Sequence, residues 1–166
     1  MRRRRQSGQA VTEFAVLYAG VALPLTFMII VMAQILWIWH SVVDFTRDGA
    51  RYAATHCYVG DNSNVIGYMQ ANVPAMIDQN LFQNGSAQIN VQYYSANSDG
   101  SLSPFGGCGA SCSPNCIPDA VSVSVANYQY MRFSSYFKLP PVMIPPFTTT
   151  IPMESAGCDE AGNCVP

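Results

Sequence analysis

The chain has 166 residues, enough for one domain of ordinary size and an anchor but too few for two full domains. Only 11% of the residues are charged while 49% are hydrophobic, a balance that is unusual for a soluble protein and natural for one with a membrane span. Residues 40–166 carry nine acidic and four basic side chains, so their net charge is about −5 (4 − 9), which argues against nucleic acid as a partner.

The first predicted element is an apolar helix over residues 14–39. No charged residue occurs from Phe14 to Trp39, and as a helix these 26 residues extend about 39 Å, which exceeds the roughly 30 Å core of a bilayer. Trp37 and Trp39 are typical of an interfacial belt, and Arg2–Arg5 place the N-terminus in the cytoplasm by the positive-inside rule. A cleaved signal peptide is the alternative, but the apolar segment is longer than a usual h-region.

Beyond the span, the helix is predicted to continue to Cys57 as an amphipathic stalk. Its apolar stripe consists of Val43, Ala50, Ala53, Ala54 and Cys57, and the opposite side carries the i,i+3 pairs Asp44/Arg47 and Asp48/Arg51. Pro24 is expected to kink or loosen the spanning part, because proline has no N–H to donate. Gly49 indicates close packing, which we expect to be against a strand.

The remaining residues, 58–166, are predicted to form an exported α+β domain. A second amphipathic helix covers residues 65–81, with Pro74 dividing or restarting it. Period-two alternation predicts strands at residues 87–95, at 120–133 and near 148–153, with the first two paired antiparallel. Four prolines exclude a central strand in LPPVMIPPF. The predicted fold is a long N-terminal transmembrane and stalk helix packed on a small antiparallel sheet, with disulfide-stapled loops.

All six cysteines fall on the side of the span predicted to be exported, and they are candidates for three disulfides. The residues are Cys57, Cys108, Cys112, Cys116, Cys158 and Cys164. Six cysteines allow 15 pairings that the sequence does not distinguish, although the last two are close enough to form a small terminal loop. A metal site is the weaker alternative, since there is no C-x-x-C pair and the histidines are distant in sequence from CGASCSPNC. We expect no metal and no cofactor.

Nothing in the sequence favours an enzyme. His56 and Cys57 are adjacent, but neighbouring residues of a helix do not face each other, so a disulfide is the better interpretation of Cys57. Asp61, Asn62 and Asn64 match part of a calcium loop, but its terminal glutamate is missing, and turn formation explains them better.

The stretch SGQAVTEF joins the arginine run to the apolar segment. Gly8 ends the basic leader, Gln9 follows, and Glu13 is fifth counting from Gln9, with the aromatic Phe14 next. This pattern resembles the processing site of type IV prepilins. Together with the continuation DFTRDGARYAA, it is similar to the TadE/TadF-like pseudopilins of tight-adherence (Tad/Flp) pilus and secretion systems. The resemblance covers residues 5–57 and does not separate a TadE-type from a TadF-type member.

The resemblance implies a function and a set of partners. A prepilin peptidase would cut after Gly8 and remove the leader, residues 1–8, and Glu13 would pair with the new terminal amine of a neighbouring subunit. The chain would then be a minor pilin or pseudopilin in the bacterial inner membrane or in a surface pilus. Its partners would be the peptidase, other pilin subunits, the inner-membrane assembly platform and the lipid bilayer. The alternative is a membrane-anchored, disulfide-rich adhesin or envelope binding module that keeps its N-terminus.

Overall fold

A computed structural model describes residues 6–108, 112–130, 138, 140–153, 157–159 and 164. The chain divides into two compact units, Met1–Ile38 and Trp39–Pro166, and the second unit includes the C-terminal part of the long helix. The α+β fold class is confirmed, because an antiparallel sheet and further short helices follow that helix.

The N-terminal helical region consists of α1 (Gln6–Leu17), a π-helical turn (Tyr18–Ala22) and α2 (Leu23–Thr55). The turn lies directly before Pro24, which cannot donate a hydrogen bond to the carbonyl of Gly20. The N–H of Leu23, the residue before this proline, donates to the carbonyl of Tyr18, which is five residues back. An α-helical bond would reach four residues back, so the turn is wider than an α-helical one. This confirms the predicted local loosening. From Gly8 to Thr55, the helix is long and apolar enough to cross a membrane, judged by length and composition.

Within the second unit, α2 buries the predicted stripe. Val43, Ala50, Ala53 and Cys57 are buried, whereas Ala54 is half-buried. The stripe is wider than predicted, because Val42, Phe45 and Thr46 are buried as well. Both predicted ion pairs form on the exposed side, at 3.3 Å for Arg47–Asp44 and 3.7 Å for Arg51–Asp48.

The second predicted helix is divided in the structure. It consists of α3 (Ser63–Ala71) and a short α4 (Gln79–Gln83), and Pro74 lies in the turns between them. The expectation that Gly49 packs against a strand is wrong, since its neighbour is Met69 of α3. A Cβ on Gly49 would come within 2.8 Å of the Met69 Cε, so glycine allows α2 and α3 to pack closely here.

The central sheet has four antiparallel strands in the order β2-β1-β3-β6. They are β1 (Gln88–Ala96), β2 (Leu102–Pro104), β3 (Ala120–Ala126) and β6 (Phe147–Pro152). The predicted antiparallel pairing of the first two long strands is confirmed: Val91 of β1 lies opposite Val123 of β3. On its other side, Val123 lies opposite Thr149 of β6. One face carries the core residues Val91, Tyr93, Val121, Val123 and Val125. Strand β2 was not predicted, since its segment is rich in serine, glycine and proline.

The prediction that the second long strand continues to Phe133 is wrong at Ala126, where β3 ends. Asn127 has a φ of 60°, a left-handed conformation that ends the extended run. The chain then forms a separate two-stranded sheet from β4 (Gln129–Tyr130) and β5 (Val142–Met143). Phe133 lies outside the described residues.

Three disulfides pair all six cysteines, as predicted from their number. The bonds are Cys57–Cys112, Cys108–Cys116 and Cys158–Cys164. The first spans 55 residues and joins the chain just beyond α2 to the loop before β3. The other two close short loops, and Cys158–Cys164 is the terminal loop that the sequence suggested.

Candidate processing and assembly site

The four residues singled out near the N-terminus lie on one exposed helix, α1. Gly8, Gln9, Glu13 and Phe14 are all exposed. Apart from the adjoining residues and the backbone of the helix itself, no atom of the described residues lies within 4 Å of the position that a Cβ on Gly8 would take. A side chain at residue 8 therefore meets no obstacle from the described part of the chain.

Glu13 contacts the residue that would begin the mature chain. The side-chain amide of Gln9 donates a hydrogen bond of 3.2 Å to Glu13 Oε1, one helical turn away. The hydroxyl of Thr12 donates to the carbonyl of Gln9 at 2.8 Å. Glu13 is also the only acidic residue in the sequence before Asp44. These residues form a small polar group at the start of a helix whose next 26 residues, 14–39, are uncharged and mostly apolar.

Most of the apolar residues from Phe14 to Trp37 are exposed in the single chain. Phe14 is 71% exposed and stacks on Tyr18, with ring centroids 6.3 Å apart. The most apolar 18-residue window of this helix has a mean hydropathy of 2.3, and none of it is buried. Such a helix requires an apolar environment, which a bilayer or other apolar helices provide.

Two other groups raised by the sequence have structural roles. Cys57 is in a disulfide, and His56 Nδ1 lies 2.9 Å from the carbonyl oxygen of Tyr52, so this pair has no free thiol. The carboxylate of Asp61 accepts the N–H of Ser63 at 3.1 Å, and its hydrogen bonds with Ser63 lower the pKa of Asp61.

Asn62 and Asn64, from the same segment, donate side-chain hydrogen bonds to backbone carbonyls that lie outside it. The Asn62 amide donates to the carbonyl of Val91 and the Asn64 amide to the carbonyl of Cys57, at 3.1 and 2.9 Å. In the part of the chain that the structure describes, no three His, Cys, Asp or Glu side chains are grouped as metal ligands would be.

Sequence reasoning identified the segment 8–14 but did not anticipate the contact between Gln9 and Glu13. The sequence feature that indicates this contact is the i,i+4 spacing of a side-chain amide and a carboxylate, because this spacing places the two groups on one helix face. No family model, curated protein or solved structure matches this chain.

Proposed function

We propose that the protein is a minor pilin or pseudopilin of a Tad-type pilus or of its assembly machinery. One observation carries this proposal: a single carboxylate, Glu13, lies one helical turn after Gln9 at the start of an exposed apolar helix. The preceding residue is Gly8, and four arginines come before it. A helix that only anchored a protein would not need a carboxylate at this position, where submersion in lipid is costly.

The proposed topology follows from the charges and the disulfides. Arg2–Arg5 keep the N-terminus in the cytoplasm by the positive-inside rule. The domain after the span then lies in the periplasm or outside the cell, where disulfides persist. Three disulfides within residues 57–164 support that placement. We therefore place the protein in the bacterial inner membrane as a single-pass subunit.

Cleavage after Gly8 by a prepilin peptidase would change the energetics of the helix. The cut removes the four arginines that hold the N-terminus at the cytoplasmic surface and creates an α-amine at Gln9. The helix can then leave the bilayer for a bundle of similar helices. Other pilin subunits and the inner-membrane assembly platform are the proposed partners in that step.

Glu13 would supply the charge that makes the bundle specific. A buried carboxylate or ammonium group alone costs on the order of several kcal/mol in desolvation, and pairing offsets that cost. Among the described residues of the single chain, the Glu13 carboxylate accepts one hydrogen bond, from the neutral amide of Gln9. Its charge therefore remains available to the terminal amine of a neighbouring subunit.

The test is the N-terminal sequence and intact mass of the protein isolated from membranes of its own organism. We expect the mature chain to begin at Gln9, and a Gly8→Leu variant to keep residues 1–8. Because a side chain at residue 8 meets no obstacle from the described part of the chain, failure of that variant to be cut reports on the peptidase and not on folding. A mature wild-type chain that retains Arg2–Arg5 would favour the membrane-anchored adhesin or binding module instead.

A further inference from the structure

The side chain of Gln9 becomes a reactive group if the chain begins at that residue. Gln9 is exposed, and its side-chain amide donates a hydrogen bond of 3.2 Å to Glu13 Oε1. In the uncut chain, the backbone nitrogen of Gln9 is in a peptide bond with Gly8 and is no nucleophile. Cleavage after Gly8, which is part of the proposed function and on which this inference rests, turns that nitrogen into an α-amine. Gln9 then carries a nucleophile and an amide carbonyl in one residue.

The two groups of an N-terminal glutamine react with each other without a further reagent. The free electron pair of the α-amine attacks the side-chain carbon Cδ, and a bond forms between the two atoms. The bond from Cδ to Nε2 breaks, and Nε2 takes a proton from the attacking nitrogen and leaves as ammonia. The product is pyroglutamate, a lactam whose nitrogen belongs to an amide. Such a nitrogen is not protonated near neutral pH, so the positive charge of the terminus is lost.

We propose that Gln9 is a modification site at which this cyclisation limits the time available for assembly. In the proposed assembly, the terminal amine pairs with Glu13 of a neighbouring subunit, and this pair offsets the desolvation of both charges. A cyclised subunit has no charge to offer and would leave the neighbour's carboxylate buried without a partner. Subunits that are not assembled promptly after the cut are therefore excluded.

The contact between Gln9 and Glu13 slows the reaction within one chain. It directs the Gln9 amide toward residue 13, one turn along the helix, whereas the α-amine lies at the N-terminal end. The Cδ atom must leave this position to reach the amine. The Glu13 carboxylate also favours the protonated form of an amine one turn away, since opposite charges stabilise each other. An ammonium group has no free electron pair with which to attack.

Pairing within the assembly protects the terminus more completely than the contact within one chain. An amine that is paired with a neighbour's Glu13 stays protonated and is therefore not a nucleophile. An unpaired α-amine titrates at about pH 8, so a fraction of free termini is reactive under neutral conditions. Pyroglutamate should therefore accumulate in subunits that remain outside the assembly.

The first experiment measures the reaction without the prepilin peptidase. Residues 1–8 are replaced by the recognition sequence of a protease that cuts directly before Gln9, and the detergent-solubilised product is kept at about pH 8. Mass spectrometry of the N-terminal peptide follows the loss of ammonia. We expect Glu13→Ala to cyclise roughly two- to tenfold faster than the wild type, the effect that loss of one hydrogen bond predicts. The matched control is Gln9→Asn, which keeps the amide but should not cyclise, because its ring would be one atom smaller and strained.

The second experiment isolates the protein from its own organism and compares the N-termini of assembled subunits with those of free subunits in the membrane. We expect pyroglutamate at Gln9 to be several-fold more abundant in the free subunits. An open Gln9 in both pools, equal fractions of pyroglutamate in both, or equal cyclisation rates of wild type and Glu13→Ala would overturn this inference and leave the proposed function intact. A chain that retains Arg2–Arg5 in its own organism would overturn both.

Discussion

Cys57 and Cys112 are joined by a disulfide, and the N–H of Cys112 also donates to the carbonyl of Tyr58 at 3.0 Å. The bond connects the chain just beyond the long helix with the cysteine-rich loop before β3. Its loop contains 55 residues, far more than the separations of 8 and 6 in the other two disulfides. The three bonds should therefore contribute unequally to stability.

The first prediction ranks the disulfides. In the chain-entropy model, a loop of 55 residues stabilises the fold by about 4 kcal/mol and one of 6 residues by about 2 kcal/mol. We expect Cys57→Ala/Cys112→Ala to lower the free energy of unfolding by roughly twice as much as Cys158→Ala/Cys164→Ala. Denaturant unfolding of the detergent-solubilised proteins measures both. Equal losses would contradict loop length as the cause.

The second prediction concerns close packing between α2 and α3. Met69 is fully buried, and a methyl group at residue 49 would force its thioether to move. We expect Gly49→Ala to destabilise the fold by about 1–3 kcal/mol, despite the better helix propensity of alanine. Thermal or denaturant unfolding provides the value.

A matched glycine lies within α3 itself. Beyond its own helix backbone and chain neighbours, Gly67 has no described atom within 4 Å of its Cβ position, so Gly67→Ala should stabilise the fold by up to about 1 kcal/mol through helix propensity alone. If the two variants change the free energy of unfolding in the same direction, the close contact between Gly49 and Met69 does not determine the effect of a side chain at residue 49.

The packing of Gly49 illustrates how far the sequence predicts this fold. Helical spacing predicted the buried positions Val43, Ala50 and Ala53, because apolar side chains at intervals near 3.6 fall on one helix face. Alternation at Ile89, Val91 and Tyr93 predicted β1 for the corresponding reason in a strand. Neither pattern identifies the partner element, so the sequence predicts that Gly49 packs against a strand, whereas its neighbour Met69 is on a helix.

Other features depend on contacts that are distant in sequence or on single backbone angles. The pairing of Cys57 with Cys112 is one of 15 possibilities and is decided by the folding of the intervening chain. The left-handed conformation of Asn127 ends β3, although the alternating pattern suggested a longer strand. At the candidate site, the sequence identifies the segment 8–14 because all of its residues are neighbours in one helix.

The third prediction concerns the hydroxyl of Tyr93, which is buried and has no hydrogen-bond partner among the described residues. Burial, with a smaller effect from Tyr58, raises the pKa of Tyr93 from 10.0 to about 12. The folded chain therefore keeps this proton at a pH where the unfolded chain releases it. The free energy of unfolding should then fall as pH rises from about 10 to 12, with the full contribution present below pH 10.

Tyr93→Phe separates the two consequences of this buried hydroxyl. It removes the titrating group, so the fall in stability between pH 10 and 12 should be smaller than in the wild type. At neutral pH the variant should be as stable as the wild type or gain up to about 1 kcal/mol, since an unpaired polar group leaves the core. Unfolding at several pH values measures both effects, and a large loss at neutral pH would indicate a hydrogen bond to the hydroxyl.

The last prediction tests the charge of Glu13. Glu13→Ala and Glu13→Gln should still insert into the membrane and be cut after Gly8, because the apolar helix and the glycine are unchanged. Both should fail to enter the assembly, since a neutral side chain cannot offset the several kcal/mol that desolvation of a buried terminal amine costs. Glutamine is the sharper variant, because it keeps the shape and the hydrogen-bonding capacity and removes only the charge.

Glu13→Asp is the matched control, because it keeps the charge on a side chain one methylene shorter and should assemble at least in part. The measurement is the amount of cleaved subunit that co-isolates with its filament or platform partners, at matched expression. If the alanine and glutamine variants co-isolate normally, the Glu13 carboxylate lies among the lipid headgroups and has no pairing role. If all three variants fail alike, geometry at residue 13 matters more than charge. Loss in the two neutral variants alone is the result that only an ion pair with the terminal amine explains.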